Sequence, residues 1–256
     1  MKAVFIGSGS VATHLAIALK NKGVTISQIY SRTASNAEIL ADKVGASFTN
    51  DITEIDQQAD IYFYAIKDNF LLKLLEQIEL PDALHVHTAG SIPMSIFQPF
   101  TTKYGVFYPL QTFSKQKEVD FSQSPICIET CNLEVQQQLV ELAHLLTTKI
   151  CIVSTEQRRD LHLAAVFACN FTNYMYDVAS KILEETGIGF DLLLPLITET
   201  VDKVRTMKPY DAQTGPAVRF DEKTITRHLK MLKNRPDLKT IYKLLSKNIH
   251  KRHSNN

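Results

Sequence analysis

The sequence predicts an α/β protein in which a doubly wound, mostly parallel sheet is followed by an all-helical region. Short runs rich in β-branched and aromatic residues alternate with helical runs over residues 1–153, whereas residues 154–256 contain helical runs alone. Alternation of strands and helices is typical of a parallel sheet covered by helices on both faces. Because no flexible linker separates the two parts, we predict two domains, 1–153 and 154–256, that pack on each other.

Eight segments have the composition of strands. In chain order they are KAVFIG, VTISQIYS, ASFTN, DIYFYAI, ALHVHT, YGVFYP, PICIE and KICIVS. Helical runs lie between several of them, and the first two, SVATHLAIALKNKG and ASNAEILADKVG, end at Gly23 and Gly45, the residue type that commonly closes a helix. After Ser154 no turn residue occurs before Gly187, which predicts one long helix, and three shorter helices follow it.

The composition excludes several classes of protein. With 28 Lys and Arg against 27 Asp and Glu, the net charge of +1 argues against nucleic acid or an anionic membrane as a partner. No apolar run approaches the roughly 18 residues that span a bilayer, and Gly7 interrupts the opening apolar stretch, so we expect a cytoplasmic protein. The four cysteines lie in or beside apolar runs and form no metal-binding pattern, which predicts reduced thiols and no metal.

The first strand ends in a glycine turn of the form G-x-G-x-x-A. Its residues are Gly7, Ser8, Gly9, Ser10, Val11 and Ala12. The first glycine permits a tight turn, the second lets the backbone approach a pyrophosphate, and the small third residue lets the next helix pack on the strand. The positive end of that helix favours a phosphate. We therefore predict a Rossmann-like dinucleotide site, the alternative being a glycine turn that binds no nucleotide.

The end of the second strand indicates which dinucleotide is bound. Proteins that bind NAD usually carry Asp or Glu there, for the ribose 2′-hydroxyl, whereas this chain has Ser31, Arg32 and Thr33. Arg32 can pair with a 2′-phosphate, with a hydroxyl on either side. The pattern favours NADP(H) over NAD(H), and the alternative is that Arg32 is a solvated surface residue.

The carboxyl ends of the fourth and fifth strands should face the same ligand. Position alone assigns cofactor contacts to Ala65, Ile66, Lys67, Thr88, Ala89 and Gly90, and a substrate contact to Ser91. His87 either shuttles a proton for the substrate or is a hydrogen-bonded histidine at a strand end. Both interpretations of His87 remain open at this point.

The long helix carries a narrow polar stripe on an otherwise apolar surface. At about 100° per residue, one side of the helix presents Arg159, His162, Val166, Asn170, Asn173 and Asp177. A helix that is apolar almost all round is expected to be buried, and buried amides need partners. We therefore predict that His162, Asn170 and Asn173 line a cleft, the alternative being a stripe that faces solvent.

A final motif, TGPAVRFD, lies between two of the later helices. Thr214 begins a tight turn, and Asp221 is expected to cap the helix that follows. Arg219 either meets an anionic group of a substrate or forms a structural salt bridge. We include Thr214 and Arg219 among the candidate substrate contacts.

The segments GSGSVA, HTAGS, YPLQTF, LHLAAVFACNF and TGPAVRFD together resemble one known family over nearly the whole chain. That family joins a Rossmann-like NADP-binding domain to a helical domain of uncharacterised function and is associated with NADP- or deazaflavin-dependent oxidoreductases. More distantly, the chain is similar to pyrroline-5-carboxylate reductase, ketopantoate reductase and the 6-phosphogluconate dehydrogenase-like β-hydroxyacid dehydrogenases. The resemblance implies a helical domain that contacts substrate and pairs two subunits, hence a homodimer.

The chain departs from these relatives in two places. Ketopantoate reductase and the β-hydroxyacid dehydrogenases use a lysine on the long helix as acid and base, and the predicted polar stripe of this chain contains no lysine. Tyr108 of YPLQTF stands where the resemblance leads us to expect a histidine. If a proton moves, His162 or His87 must move it, and Asn170 would orient the substrate.

Three functions are consistent with the sequence. The first is an NADPH-dependent reductase of a small carbonyl or imine compound. The second is a sensor that keeps the dinucleotide site without turnover, and the third exchanges hydride with a deazaflavin coenzyme.

Overall fold

The computed structural model describes residues 1–79 and 82–254, and it confirms the predicted α/β architecture. All eight predicted strands form one sheet. They are β1 Lys2–Ile6, β2 Thr25–Tyr30, β3 Ser47–Thr49, β4 Ile61–Tyr64, β5 Leu84–His87, β6 Tyr104–Pro109, β7 Ile126–Thr130 and β8 Ile150–Ile152. Their spatial order is β3-β2-β1-β4-β5-β6-β7-β8, and every pairing is parallel except that of β6 with β7.

Helices connect several of the strands and form most of the described chain after β8. They are α1 Ser10–Asn21, α2 Ala34–Val44, α3 Asp68–Leu75, α4 Leu133–His144, α5 Thr155–Ala165, α6 Thr172–Glu184, α7 Leu194–Thr206, α8 Glu222–Met231 and α9 Pro236–Ser254. The predicted glycine ends are confirmed, since Gly23 follows α1 with φ of 88° and Gly45 caps α2 with φ of 67°. None of the helices in the described ranges is both long and apolar enough to cross a membrane.

The sheet has a hydrophobic core on each face because successive side chains of a strand point to opposite sides. In β1, Ala3 and Phe5 belong to one core and Val4 and Ile6 to the other, and all four are fully buried. Phe5 stacks on Phe63 of the neighbouring strand at 4.8 Å between ring centroids. A strand that is buried on both faces has an unbroken hydrophobic sequence, as residues 3–6 of β1 do.

The chain forms two compact units, residues 1–174 and 175–256, so the division falls within α6. The change from sheet to helices lies where the sequence predicts it, since β8 ends at Ile152 and α5 begins at Thr155. Domains divided at 153/154 remain a prediction.

The long helix departs from its predicted form in two ways. A π-helical segment, Val166–Phe171, interrupts it between α5 and α6. Its apolar face is not buried within the chain, since Leu163, Phe167, Phe171 and Tyr174 are 57%, 63%, 49% and 45% exposed. The prediction of a helix buried all round is therefore wrong for the single chain.

A buried ion pair holds the loop that follows β5. The guanidinium of Arg158, fully buried on α5, lies 2.7 Å from the carboxylate of Glu129 on β7. The same guanidinium donates hydrogen bonds to the carbonyls of Ala89 and Gly90, both at 2.9 Å, and of Ile92, at 2.7 Å. Loop 88–92 is thereby fixed to α5 and β7, which are distant from it in sequence.

Gly7→Ala should lower the free energy of unfolding by about 2–4 kcal/mol, because the new Cβ would lie 2.3 Å from the Ala65 carbonyl oxygen at a φ of 121°. Urea denaturation would measure the loss. Gly9→Ala is the matched control, because its Cβ would meet no heavy atom within 4 Å, and its stability should change by less than about 1 kcal/mol, through the poorer N-cap alone. Equal stability of the two variants would contradict this account of the turn.

Arg158→Met should cost about 3–5 kcal/mol, because it leaves the Glu129 carboxylate buried without its counter-charge. The neighbouring Arg159 is exposed and makes one hydrogen bond to the loop, to the Ser91 carbonyl. Arg159→Met should therefore cost less than about 1.5 kcal/mol. Thermal or urea unfolding of the two variants would measure the difference, and a small loss in Arg158→Met would show that the ion pair is dispensable.

Candidate functional site

A cleft of about 510 Å³ opens at the carboxyl ends of β1, β2 and β4, the edge where ligands of such sheets bind. The predicted cofactor residues that line it are Gly7, Ser8, Gly9, Ser31, Arg32, Thr33, Ala65, Ile66 and Lys67. Tyr30, Asn36, Phe70 and Lys73 also contribute. The sequence pattern thus brings the glycine turn and the end of β2 to one cleft.

The glycine turn has the form that a pyrophosphate requires. The Gly7 amide donates to the Tyr30 carbonyl at 2.8 Å, which fixes the turn beside β2. Gly9 is the N-cap of α1, where no side chain caps the helix and no acidic residue lies in the first turn. The amides of that turn have no intrahelical acceptors, and the space above Gly9 is open. These residues fit a bound diphosphate.

The end of β2 presents a cation with adjacent hydroxyls. The Arg32 guanidinium lies over the Phe70 ring, 4.1 Å from its centroid, and forms no salt bridge with any residue that the structure describes. The Ser8 hydroxyl donates to that of Ser31 at 2.9 Å. An exposed guanidinium, held by an aromatic ring and without a carboxylate partner, fits a phosphate monoester.

A second cleft, of about 610 Å³, adjoins the first and shares four lining residues with it: Gly9, Ala65, Ile66 and Lys67. Its other predicted residues are Ser10, Val11, Thr88, Ala89, Gly90, His162 and Asn170. Residues 108–113, Asp68, Ala165 and Cys169 complete the lining. One elongated ligand could therefore extend from Arg32 to His162 along the strand ends. Ala12, the remaining residue of the turn, is buried in α1 and packs in the core.

His162 is the central side chain of the second cleft. Its Nδ1 lies 3.0 Å from the Tyr108 hydroxyl, and a Cβ on Gly90 would come within 2.6 Å of its ring. Loop 88–92 and the end of β6 thus both contact the Nδ1 edge of the imidazole. Burial raises the pKa of Tyr108, so the phenol is protonated at neutral pH. The pair can donate a proton or a hydrogen bond to a ligand in the cleft.

The π-helical segment places Asn170 and Cys169 in this cleft. Segments of this kind occur frequently at functional sites. Asn173 and Asp177, assigned by uniform helical spacing to the same stripe, do not line either cleft. Asp177 instead pairs with Lys181 at 2.6 Å.

His87 is placed away from the clefts. Its side chain is fully buried, its Nδ1 accepts the Ala89 amide at 3.2 Å, and burial lowers its pKa to about 3. Its Nε2 forms no regular hydrogen bond within the described residues, although the nearby Pro93 carbonyl acts on its pKa. A neutral, enclosed imidazole of this kind favours the interpretation of a histidine buried at a strand end.

The remaining candidate substrate residues lie outside the two cleft linings. Ser91 is exposed and its hydroxyl donates to Asp68, the first residue of α3. The N-cap position of that helix is occupied by Lys67. Thr214 and Arg219 are exposed in the unit 175–256, where Asp221 is confirmed as the cap of α8 by accepting the Thr224 amide.

Sequence reasoning missed Tyr108, Phe70 and the Arg158–Glu129 pair as contributors to the site. The position of Tyr108 at the carboxyl end of β6 is the signal in the sequence that could have indicated it. Arg158 stands four residues before His162, so the helix period places both on one face. Within residues 1–79 and 82–254 no cluster of three or more His, Cys, Asp or Glu side chains could hold a metal ion.

Two family models match the sequence. Residues 2–89 match the family described as NADP oxidoreductase coenzyme F420-dependent, and residues 124–249 match a domain of unknown function, DUF2520. No curated protein matches the chain.

Solved structures extend the comparison to the whole chain. A proposed NADP oxidoreductase from Bacteroides fragilis is 47% identical, with a TM-score of 0.94 and 98% of each chain covered. An imine reductase from Myxococcus stipitatus, solved with NADP⁺, is 16% identical, with a TM-score of 0.72 over 100% of this chain and 95% of that one. A pyrroline-5-carboxylate reductase from Coxiella burnetii is 14% identical, with a TM-score of 0.59 over 99% and 97%.

At 14–16% identity the two reductases show that the fold is shared. The similarity to the Bacteroides protein is much closer and extends over almost all of both chains. The chain therefore belongs to that family of NADP oxidoreductases, and in this chain the match to an NADP oxidoreductase domain precedes the match to DUF2520.

Proposed function

We propose that this oxidoreductase transfers hydride from NADPH to a small carbonyl or imine compound. The observation that carries the proposal is the pair of adjoining clefts, one with an uncapped helix N-terminus and a free guanidinium, the other with a His–Tyr pair and an amide. The fold shared with an imine reductase and a pyrroline-5-carboxylate reductase supports this choice of substrate class.

The cofactor would be held along the carboxyl ends of the strands. The first-turn amides of α1 would bind the pyrophosphate, and Arg32, with the hydroxyls of Ser31 and Thr33, would bind the 2′-phosphate. Residues 65–67 and 88–90 would enclose the ribose and nicotinamide. Bound NADPH supplies the hydride, and the remaining chemistry falls to the side chains of the second cleft.

His162 is the residue that we propose as proton donor to the substrate oxygen or nitrogen, with Asn170 orienting the substrate. His87 is removed from the proposed catalytic set, because its neutral imidazole is enclosed and does not line the cleft. Substrate contacts from Ser91, Asn173, Thr214 and Arg219 remain predictions of the sequence. The polar stripe of the long helix carries no lysine. An imine substrate suits this arrangement, since an imine nitrogen takes up a proton more readily than a carbonyl oxygen does.

A second candidate is hydride exchange with a deazaflavin coenzyme. The family model over residues 2–89 is described as coenzyme F420-dependent, and the second cleft is large enough to admit a ring system. Loss of the oxidised deazaflavin absorbance on mixing with NADPH and the enzyme would support this candidate over the first.

We further propose a cytoplasmic homodimer formed through residues 154–256. The apolar side chains exposed along the long helix, among them Leu163 and Phe167, form a surface of the kind that a subunit interface covers. In the unit 175–256, Leu192, Leu196 and Met231 are likewise 69%, 63% and 71% exposed.

Arg32→Gln should weaken NADP(H) binding by about 10- to 100-fold and leave NAD(H) binding unchanged, because only the 2′-phosphate would lose a charge-assisted contact. Isothermal titration calorimetry with both dinucleotides would measure the effect. Arg205→Gln serves as control, since this exposed arginine lines neither cleft. Equal affinities of the parent for NADP(H) and NAD(H) would remove the assigned role of Arg32.

The reductase activity is tested by the oxidation of NADPH at 340 nm with a panel of 2-ketoacids and cyclic imines, including 1-pyrroline. We expect turnover of at least one class, and His162→Ala should reduce kcat about 100-fold or more while leaving the Kd for NADP⁺ within about threefold. His14→Ala is the matched control, as His14 lies outside both cleft linings. A His162→Ala protein as active as the parent would exclude His162 as the donor.

A further inference from the structure

We propose that Tyr108 positions His162 for proton donation, by holding its Nδ1 as an acceptor so that Nε2 carries the proton offered to the substrate. The inference rests on the proposed reductase function. It assigns a role to a side chain that neither the family resemblance nor the helical pattern indicates.

The contacts of the imidazole determine which nitrogen is available to a ligand. The Tyr108 hydroxyl lies 3.0 Å from Nδ1 of His162. A Cβ placed on Gly90 would lie nearest to Cγ and Nδ1 of the same ring, at 2.6 Å. This edge of the ring therefore faces loop 88–92 and β6. Nε2 lies on the opposite edge of the ring, and it makes no hydrogen bond with any residue that the structure describes. Since His162 lines the second cleft, Nε2 is the nitrogen left for a substrate.

The surroundings of Tyr108 keep its hydroxyl a donor. Burial raises the pKa of the phenol, and the cross-strand neighbour Cys127 is a neutral thiol, because burial raises its pKa to about 11. When the imidazole is neutral, a phenol that donates to Nδ1 selects the tautomer with hydrogen on Nε2.

The same hydrogen bond completes the proton transfer. Hydride adds to the carbonyl or imine carbon, the π electron pair moves to oxygen or nitrogen, and that atom takes the Nε2 proton. As Nε2 loses its proton, the Tyr108 hydroxyl proton moves to Nδ1, so no imidazolate forms. The resulting phenolate takes up one proton from solvent, which balances the proton given to the product. Burial disfavours the phenolate, and the positive charge of Arg158 offsets part of that cost.

The matched control lies on the same strand. Tyr104 is also a partly buried tyrosine of β6, but its ring faces Phe97, with 6.4 Å between centroids, and it does not line the cleft. Tyr104→Phe removes the same hydroxyl without affecting His162. Both substitutions conserve the ring, so both proteins should remain folded.

The test begins with ¹⁵N NMR of the His162 imidazole in the ligand-free protein, assigned with His162→Ala. We expect the Nε2–H tautomer in the parent and in Tyr104→Phe, and a mixture of tautomers in Tyr108→Phe. An Nδ1–H tautomer in the parent, or an unchanged spectrum in Tyr108→Phe, would overturn the proposal whether or not the protein is a reductase.

Kinetics supply the second measurement, with the panel substrate that the parent reduces fastest. Tyr108→Phe should lower kcat by about 10-fold or more, with the Kd for NADP⁺ within twofold of the parent. Unchanged kcat would refute the role of Tyr108 even if the reductase activity is established. If the parent reduces none of the panel compounds, the proposed function fails, and the NMR result still decides whether Tyr108 sets the tautomer.

Discussion

The buried ion pair between Arg158 and Glu129 is the interaction on which the substrate side of this protein depends. It joins α5, β7 and loop 88–92, three segments that are far apart in sequence. Arg158 and His162 are four residues apart and share one face of α5. The hydrogen bonds from Arg158 to loop 88–92 therefore also set the distance between that loop and the His162 imidazole. The close approach of Gly90 to His162 follows from that anchoring, since a Cβ there would lie within 2.6 Å of the ring.

The two clefts differ in their charge, and the difference matches two tasks. The end near Arg32 offers a guanidinium and helix amides, which suit a ligand that carries several negative charges. The end near His162 holds the neutral phenol of Tyr108, because burial raises its pKa, and the neutral Cys127 thiol is buried opposite it in the sheet. Lys67 and Asp68 also line this cleft, and their opposite charges leave it less positive than the first.

Only part of the predicted polar stripe lines the cleft, because the long helix does not keep a uniform period. A rotation of 100° per residue describes α5, and His162 lines the second cleft. Between Val166 and Phe171 the π-helical turn holds additional backbone per turn, so the residues beyond it rotate away from their expected direction. Asn170, inside the segment, lines the cleft, whereas Asn173 and Asp177 beyond it do not.

The sequence alone determined the order of strands and helices, the glycine turn at Gly7 and Gly9, and the arginine at the end of β2. These features depend on local chemistry: side-chain alternation, backbone freedom and the rule that parallel strands present their carboxyl ends at one edge. Only the tertiary structure decided that His87 is enclosed, that Tyr108 meets His162, and that Arg158 is buried against Glu129. Each of these depends on which side chains meet across segments that are distant in the chain. The pattern of residues within a single segment does not indicate such contacts.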